Sequence, residues 1–149
     1  MDRAAEVIAL DTNLLLYAHD RGAPENEAAT RALAQGWADP RGWGVAVTVL
    51  AEFWSAATRA DHRNSAAAYA FWSDLLASGL QVWPASAELG AMLLGMARRM
   101  EVNGRRIYDL QIAMIALENG ADEIWTHDAD FLRVPGLKYF DPITHSARR

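Results

Sequence analysis

The 149-residue chain contains no cysteine. Disulfides, thiolate metal ligands and a cysteine nucleophile are therefore excluded, and the absence agrees with a reducing compartment. Lysine is almost missing too: Lys138 stands alone beside 13 Arg. Genomic base composition produces such a bias as readily as a need for bidentate phosphate binding, and it is the simpler cause. Positive charge is in deficit, with 14 basic against 19 acidic residues and a formal net charge of -5. A uniformly basic coat for nucleic acid is thereby ruled out, while a local patch is not. No apolar run approaches the ~20 residues of a membrane span. The opening MDRAAEVIAL lacks the long apolar region and small-residue cleavage site of a secretion signal. The expectation is a soluble cytoplasmic protein.

What remains is ordinary globular composition, 52% hydrophobic and 22% charged, in a length that suits one domain over residues 1–149. There is no internal repeat, low-complexity segment or dividing linker. Val7-Ile8-Ala9-Leu10 reads as a buried strand ending in Asp11-Thr12-Asn13, with a short helix from Asn13 to Ala18. Pro24 opens a helix reaching Ala38. Trp43 to Val47 reads as a second strand, and Thr48 as the cap of a helix from Val49 to Ala60. Asn64 caps a further helix through Ser78, stopped by Gly79. Leu80 to Trp83 is a third strand, and a helix follows from Ala87 to Met100. Asp109 to Asn119 is helical, ended by Gly120 and apolar on nearly every side, as a helix packed between other elements must be. Glu123 to Thr126 and Leu137 to Phe140 complete the strands, and the tail frays from about Thr144. Strands alternating with helices predict a parallel sheet covered on both faces.

In such sheets, sites form beyond the carboxyl ends of the strands. Asp11 ends the first strand; Asp128 and Asp130 follow the fourth. Glu52 sits early in the third helix within an apolar segment, and Asp109 opens the last long one. Taken singly, each acid has a sufficient structural role. Asp11 and Asp109 serve as helix caps, Glu52 pairs with Arg59, and Asp128 steadies a turn. Together they would converge on one rim. Two carboxylates ~5 Å apart repel by roughly 3 kcal/mol at an effective dielectric of about 20. A divalent cation removes that cost, and Mg²⁺ and Mn²⁺ prefer oxygen ligands of this kind.

Four segments carry a resemblance: Val7-Ile8-Ala9-Leu10-Asp11-Thr12-Asn13, Thr48-Val49-Leu50-Ala51-Glu52-Phe53, Tyr108-Asp109-Leu110-Gln111-Ile112-Ala113 and Thr126-His127-Asp128-Ala129-Asp130-Phe131. In this order and spacing the chain resembles the PIN-domain ribonucleases, and among them the VapC-type toxins of bacterial toxin–antitoxin pairs. The resemblance spans about Val7 to Ile143. It implies a three-layer α/β/α domain around a central parallel sheet of about five strands. It also implies that Asp11, Glu52, Asp109 and Asp128 form an acidic quartet binding Mg²⁺ or Mn²⁺. Thr12, Asn13 and Thr126 are then supporting residues and Asp130 a secondary acid. The implied substrate is RNA, cut to 3′-hydroxyl and 5′-phosphate ends. The implied partners are a cognate antitoxin and a second copy of the chain.

His127, between Thr126 and Asp128, reads as incidental. Arg98, Arg99, Arg105 and Arg106 precede Asp109 and are candidates for phosphate contacts, balanced against a solvated helix end. The apolar stretch Ala66 to Trp72 exceeds what one helix face needs and is either core or a docking face for a copy or an antitoxin helix. Two other functions stay open. A phosphatase or phosphoryl-transfer enzyme would use Asp11 as nucleophile, although Asp11-Thr12-Asn13 lacks a second acid two residues on. A binding module would use the acids only to hold a structural ion.

Overall fold

The structure, a computed structural model, describes residues 7–146. The charged opening and the last three residues lie outside it. Five strands form one wholly parallel sheet: β1 (Val7–Leu10), β2 (Trp43–Ala46), β3 (Gln81–Trp83), β4 (Ala121–Trp125) and β5 (Lys138–Phe140), in the order β3-β2-β1-β4-β5. Between and after them run α1 (Thr12–His19), α2 (Asn26–Ala38), α3 (Val47–Thr58), α4 (Ser65–Ala77), α5 (Ala87–Arg99), α6 (Arg106–Glu118) and α7 (Pro142–Ser146).

The chain builds outward from β1 through β2 to β3, then crosses back to add β4 and β5 on the other side. Right-handed crossovers in opposite directions put their helices on opposite faces, which makes three layers. The central strands are buried on both faces, so they carry apolar runs rather than alternation: Ile8, Ala9 and Leu10 of β1, and Val45 and Ala46 of β2, are all essentially inaccessible. The reversal of direction falls between β1 and β4, and loops leaving these two strands part company there. That is the switch point where open α/β sheets place their sites.

The long apolar helix expected from Asp109 is α6. It starts three residues earlier, at Arg106, and packs on β2, β4, α3 and α5. Leu110, Ile112, Ala113, Ile115 and Ala116 are buried on it, which accounts for its lack of a polar face.

Several local expectations are corrected. Thr48 is not a cap: α3 begins at Val47, and the buried Thr48 hydroxyl donates to Gln111 Oε1 at 2.8 Å, tying α3 to α6. Asn64 makes no capping bond to α4. A short 3₁₀ turn, His62–Asn64, leads in instead, with Asp61 in extended backbone accepting from the Arg63 N–H at 2.9 Å. Asn26 begins α2, two residues after Pro24, and its amide donates to the carbonyls of Tyr17 and Ala18. The strand expected from Glu123 starts at Ala121 and ends at Trp125. Asp141 accepts from the Ile143 and Thr144 N–H groups at the start of α7, while the end of the tail expected to fray lies outside the described residues. In the stretch Ala66 to Trp72, Ala68 is buried and Phe71 and Trp72 are half-buried, but Ala66, Ala67, Tyr69 and Ala70 face solvent.

Gly44 in β2 shows how tightly the sheet is covered. A Cβ at this position would run into the Trp83 ring at Cζ2. That ring is buried and its indole N–H donates to Gln81 Oε1 at 3.0 Å, so it has nowhere to turn. Gly44→Ala is expected to destabilise the fold by about 1–3 kcal/mol through overpacking. Urea unfolding read by Trp fluorescence measures this.

Candidate functional site

Asp11 is the first residue past β1. Its N–H continues the ladder to the Trp125 carbonyl at 3.0 Å, which fixes the start of its side chain beside the end of β4. The register pairs Leu10 with Trp125, so Asp11 and Thr126 emerge together. Asp11 Oδ2 accepts from the Thr126 hydroxyl at 2.7 Å and Oδ1 from the Thr12 N–H at 2.7 Å. Thr126 and Asp11 are only 5% and 7% exposed.

The Thr126 hydroxyl has a second task. While donating to Asp11 it accepts the Asp128 N–H at 3.0 Å, which holds the Asp128 backbone beside the end of β4. Asp128 Oδ1 then accepts from the Asp130 N–H at 2.9 Å. From the other side, the Thr12 hydroxyl at the start of α1 donates to Glu52 Oε1 at 2.9 Å, holding the half-buried Glu52 of α3 toward Asp11. Asp109, in the first turn of α6, accepts the Leu132 N–H on Oδ2 at 3.2 Å.

The charges of these four acids act on one another. Burial first, with the charges of Asp109 and Glu52 adding to it, pushes the Asp11 carboxyl up to about 7 against the hydrogen bonds from Thr126 and Thr12. Asp109 is also raised, first by burial and then by Asp128 and Glu52; the Leu132 N–H and the Arg106 charge oppose this. Among the described residues no ion pair joins Asp11, Glu52, Asp109 or Asp128 to a basic side chain.

The family model described as PIN domain matches residues 8–137, nearly the whole chain. The chain belongs to the PIN-domain family. Among curated proteins no sequence match was found. Two solved structures resemble this PIN domain in fold. VapC20 of Mycobacterium tuberculosis, described as a Sarcin-Ricin loop cleaving toxin, superposes with a TM-score of 0.68 at 22% identity, covering 83% of this chain and 92% of its own. VapBC2 of Rickettsia felis, described as bound to a DNA fragment from its promoter, gives 0.65 at 20% identity, covering 90% of this chain and 97% of its own.

The PIN domain thus gathers Asp11, Glu52, Asp109 and Asp128 with Thr12 and Thr126. Asn13 belongs at the edge, its Oδ1 accepting the His127 N–H at 3.3 Å. Asp130 is exposed, as is Asp128; its N–H closes the Asp128 turn and its carbonyl accepts from Arg106 Nη2 at 3.3 Å. Arg98, Arg99, Arg105 and Arg106 are all exposed, and of the four it is Arg106 whose charge reaches Asp109. Glu52 is held by Thr12 rather than by Arg59. His127 is more anchored than its sequence position suggests: Nδ1 pairs with Asp141 Oδ2 at 2.9 Å, and Tyr17 meets its ring edge-on.

Among the described residues no three His, Asp or Glu side chains are close enough together to hold an ion unaided. The donor set nonetheless fits Mg²⁺ or Mn²⁺. It consists of carboxylate and hydroxyl oxygens, and these ions keep several water ligands while taking one or two carboxylates directly.

Linkage gives the raised Asp11 pKa a measurable sign. An acid whose folded pKa lies above its unfolded value of 3.8 stabilises the fold fully below that value, and the stabilisation is lost as pH rises toward about 7. The metal-free protein is expected to lose stability between about pH 4 and 7 from this group. Asp11→Asn should flatten most of that slope, and denaturant unfolding at pH 5 and pH 8 with chelator present reads both.

Proposed function

We propose that this PIN domain is a metal-dependent endoribonuclease serving as the toxin of a type II toxin–antitoxin pair. The observation that supports the reading is the hydrogen-bonded set at the sheet's switch point, where Thr126 serves Asp11 and the Asp128 N–H, Thr12 serves Glu52, and the Asp109 charge reaches Asp11. Asp11 and Asp109 would hold Mg²⁺ or Mn²⁺, with Glu52 and Asp128 completing the shell or holding a second ion. When bound, the ion supplies charge compensation and Lewis acidity at a phosphoryl oxygen.

The chain's own residues set the geometry. Thr126 orients Asp11 and holds the Asp128 N–H, Thr12 orients Glu52, and Asn13 fixes the backbone between Thr126 and Asp128. Water attacks the phosphorus in line, the P–O3′ bond breaks, and the ends are a 3′-hydroxyl and a 5′-phosphate. The ribose 2′-hydroxyl takes no part. The phosphoryl-transfer alternative is disfavoured, since a nucleophilic Asp11 would have to attack while buried and with both oxygens already accepting hydrogen bonds.

An antitoxin is the proposed partner, as the VapC-type neighbours suggest. A groove of about 990 Å³ between α1, α3 and α4 offers it a seat. Ala56, Ala57, Ala67, Ala70 and Phe71 give the groove an apolar lining, with His19, Arg21 and Asp74 also on its walls. The groove contains none of the four acids. A homodimer is proposed as well. No helix of the described residues is long and apolar enough to cross a membrane, and the proposed place of action is the cytoplasm.

Purified protein incubated with defined RNAs is expected to cleave them with Mg²⁺ or Mn²⁺ and not with chelator. Asp11→Asn should lower the rate by about 100-fold or more. Mapping the product ends checks the chemistry, and a 2′,3′-cyclic phosphate would overturn it.

Arg106→Glu should weaken RNA binding. The slope of log affinity against log salt should become shallower by about 0.7 for each phosphate that Arg106 neutralises. Filter binding at several ionic strengths reads this; an unchanged slope assigns Arg106 to solvent.

A further inference from the structure

The segment between β4 and β5 has no regular structure where it passes Asp109, yet Phe131, Leu132 and Val134 are buried there. Buried backbone groups in such a segment need partners that no ladder supplies. One side-chain oxygen supplies two of them. The Tyr139 hydroxyl, reaching in from β5, donates to the Leu132 carbonyl at 2.5 Å and accepts the Val134 N–H at 2.9 Å. The Leu132 N–H points the other way, to Asp109 Oδ2. The Leu132 residue is thus held from both sides, by a phenol on one and a site carboxylate on the other. The ring itself is fixed: Phe131 packs against it at 5.8 Å between centroids, and the Arg133 guanidinium lies 4.1 Å above it.

We infer that Tyr139 is a positioning residue, whose hydroxyl clamps the Leu132 backbone so that its N–H orients the Asp109 carboxylate within the acidic site. Among the described residues, Leu132 N–H is the hydrogen-bond donor that Asp109 has, so the direction of this carboxylate depends on where that one peptide sits. The groups that orient a metal-binding side chain typically govern affinity by 10–100-fold. The inference rests on the reading of Asp109 as a metal-holding residue, and the two are separable by experiment.

The test uses the full chain and Tyr139→Phe, which keeps the ring, the Phe131 contact and the Arg133 stack. Amide exchange in metal-free protein, followed by NMR, should quicken about ten-fold or more at Leu132 and Val134 while Ile8 and Ile124 in the sheet stay protected. Mn²⁺ titration should show about ten-fold weaker binding. In an Asp109→Ala background, which removes the acceptor of the Leu132 N–H, Tyr139→Phe should weaken Mn²⁺ binding no further, because the path it acts through is already cut.

Equal weakening in both backgrounds would mean that Tyr139 acts on general stability, and would overturn the inference. So would unchanged exchange at Leu132. Asp109→Ala is the second variant, should Tyr139→Phe not fold: with the phenol in place, Leu132 exchange must still rise, and protection equal to wild type overturns the clamp. A wild type that takes up no Mn²⁺ defeats the metal-dependent reading, and the metal-free exchange then decides whether Tyr139 holds Leu132 against Asp109.

Discussion

One hydrogen bond joins the two halves of the chain at the place where they diverge. The Thr126 hydroxyl donates to the buried Asp11 carboxylate, and through it the end of β1 and the end of β4 share one polar centre. Asp11 has little access to water, and a carboxylate so placed is tolerable only while its oxygens are served by donors. Both are served, one by Thr126 and one by the Thr12 N–H. The other acids are arranged around that first commitment. Thr12, fixed by following Asp11, directs Glu52; Thr126, fixed by serving Asp11, receives Asp128.

Stability and chemistry pull against each other here. Burying carboxylates costs the fold, and the raised pKa values of Asp11 and Asp109 record first that burial and then the charges of the neighbouring acids. The fold meets it with burial elsewhere. α6 is enclosed on nearly all sides, and Phe53 and Phe131, each one residue from a loop or helix feature that forms the site, are nearly inaccessible. Such packing restricts how far the acids can move apart to relieve their repulsion. Local strain at a site, sustained by a well-packed surround, is what an unperturbed core would never need.

How far the sequence foretells this depends on the kind of contact. Strand β1 is readable because a buried parallel strand must be apolar throughout and Val7 to Leu10 is. Asp11 is readable because a sheet of this kind places its sites where such a strand ends. α6 is readable from its missing polar face. The start of β4 is hidden, because Ala121 and Asp122 after Gly120 look like loop residues, whereas Glu123 is accommodated in the strand by Arg41 and by the Trp125 indole N–H. Thr48 misleads since its buried hydroxyl finds a side-chain acceptor on a helix 63 residues away, and no local pattern records that. Tyr139 and Asp141 are invisible for a related reason. Their partners are a backbone segment and His127, brought near only by the register that sets Trp125 beside Phe140. Short-range rules see caps and stripes; they do not see which loop a phenol will reach.

The two outer strands have an implication for assembly. β3 and β5 are each three residues long, and the chain's sole lysine, Lys138, stands exposed on β5. Brief strands and an edge lysine are devices by which sheets resist adding foreign strands. Little backbone is on offer at either border for another polypeptide to zip onto. The exposed aromatic surface lies instead on the helical flanks, where Trp54 and Tyr69 stand out from α3 and α4.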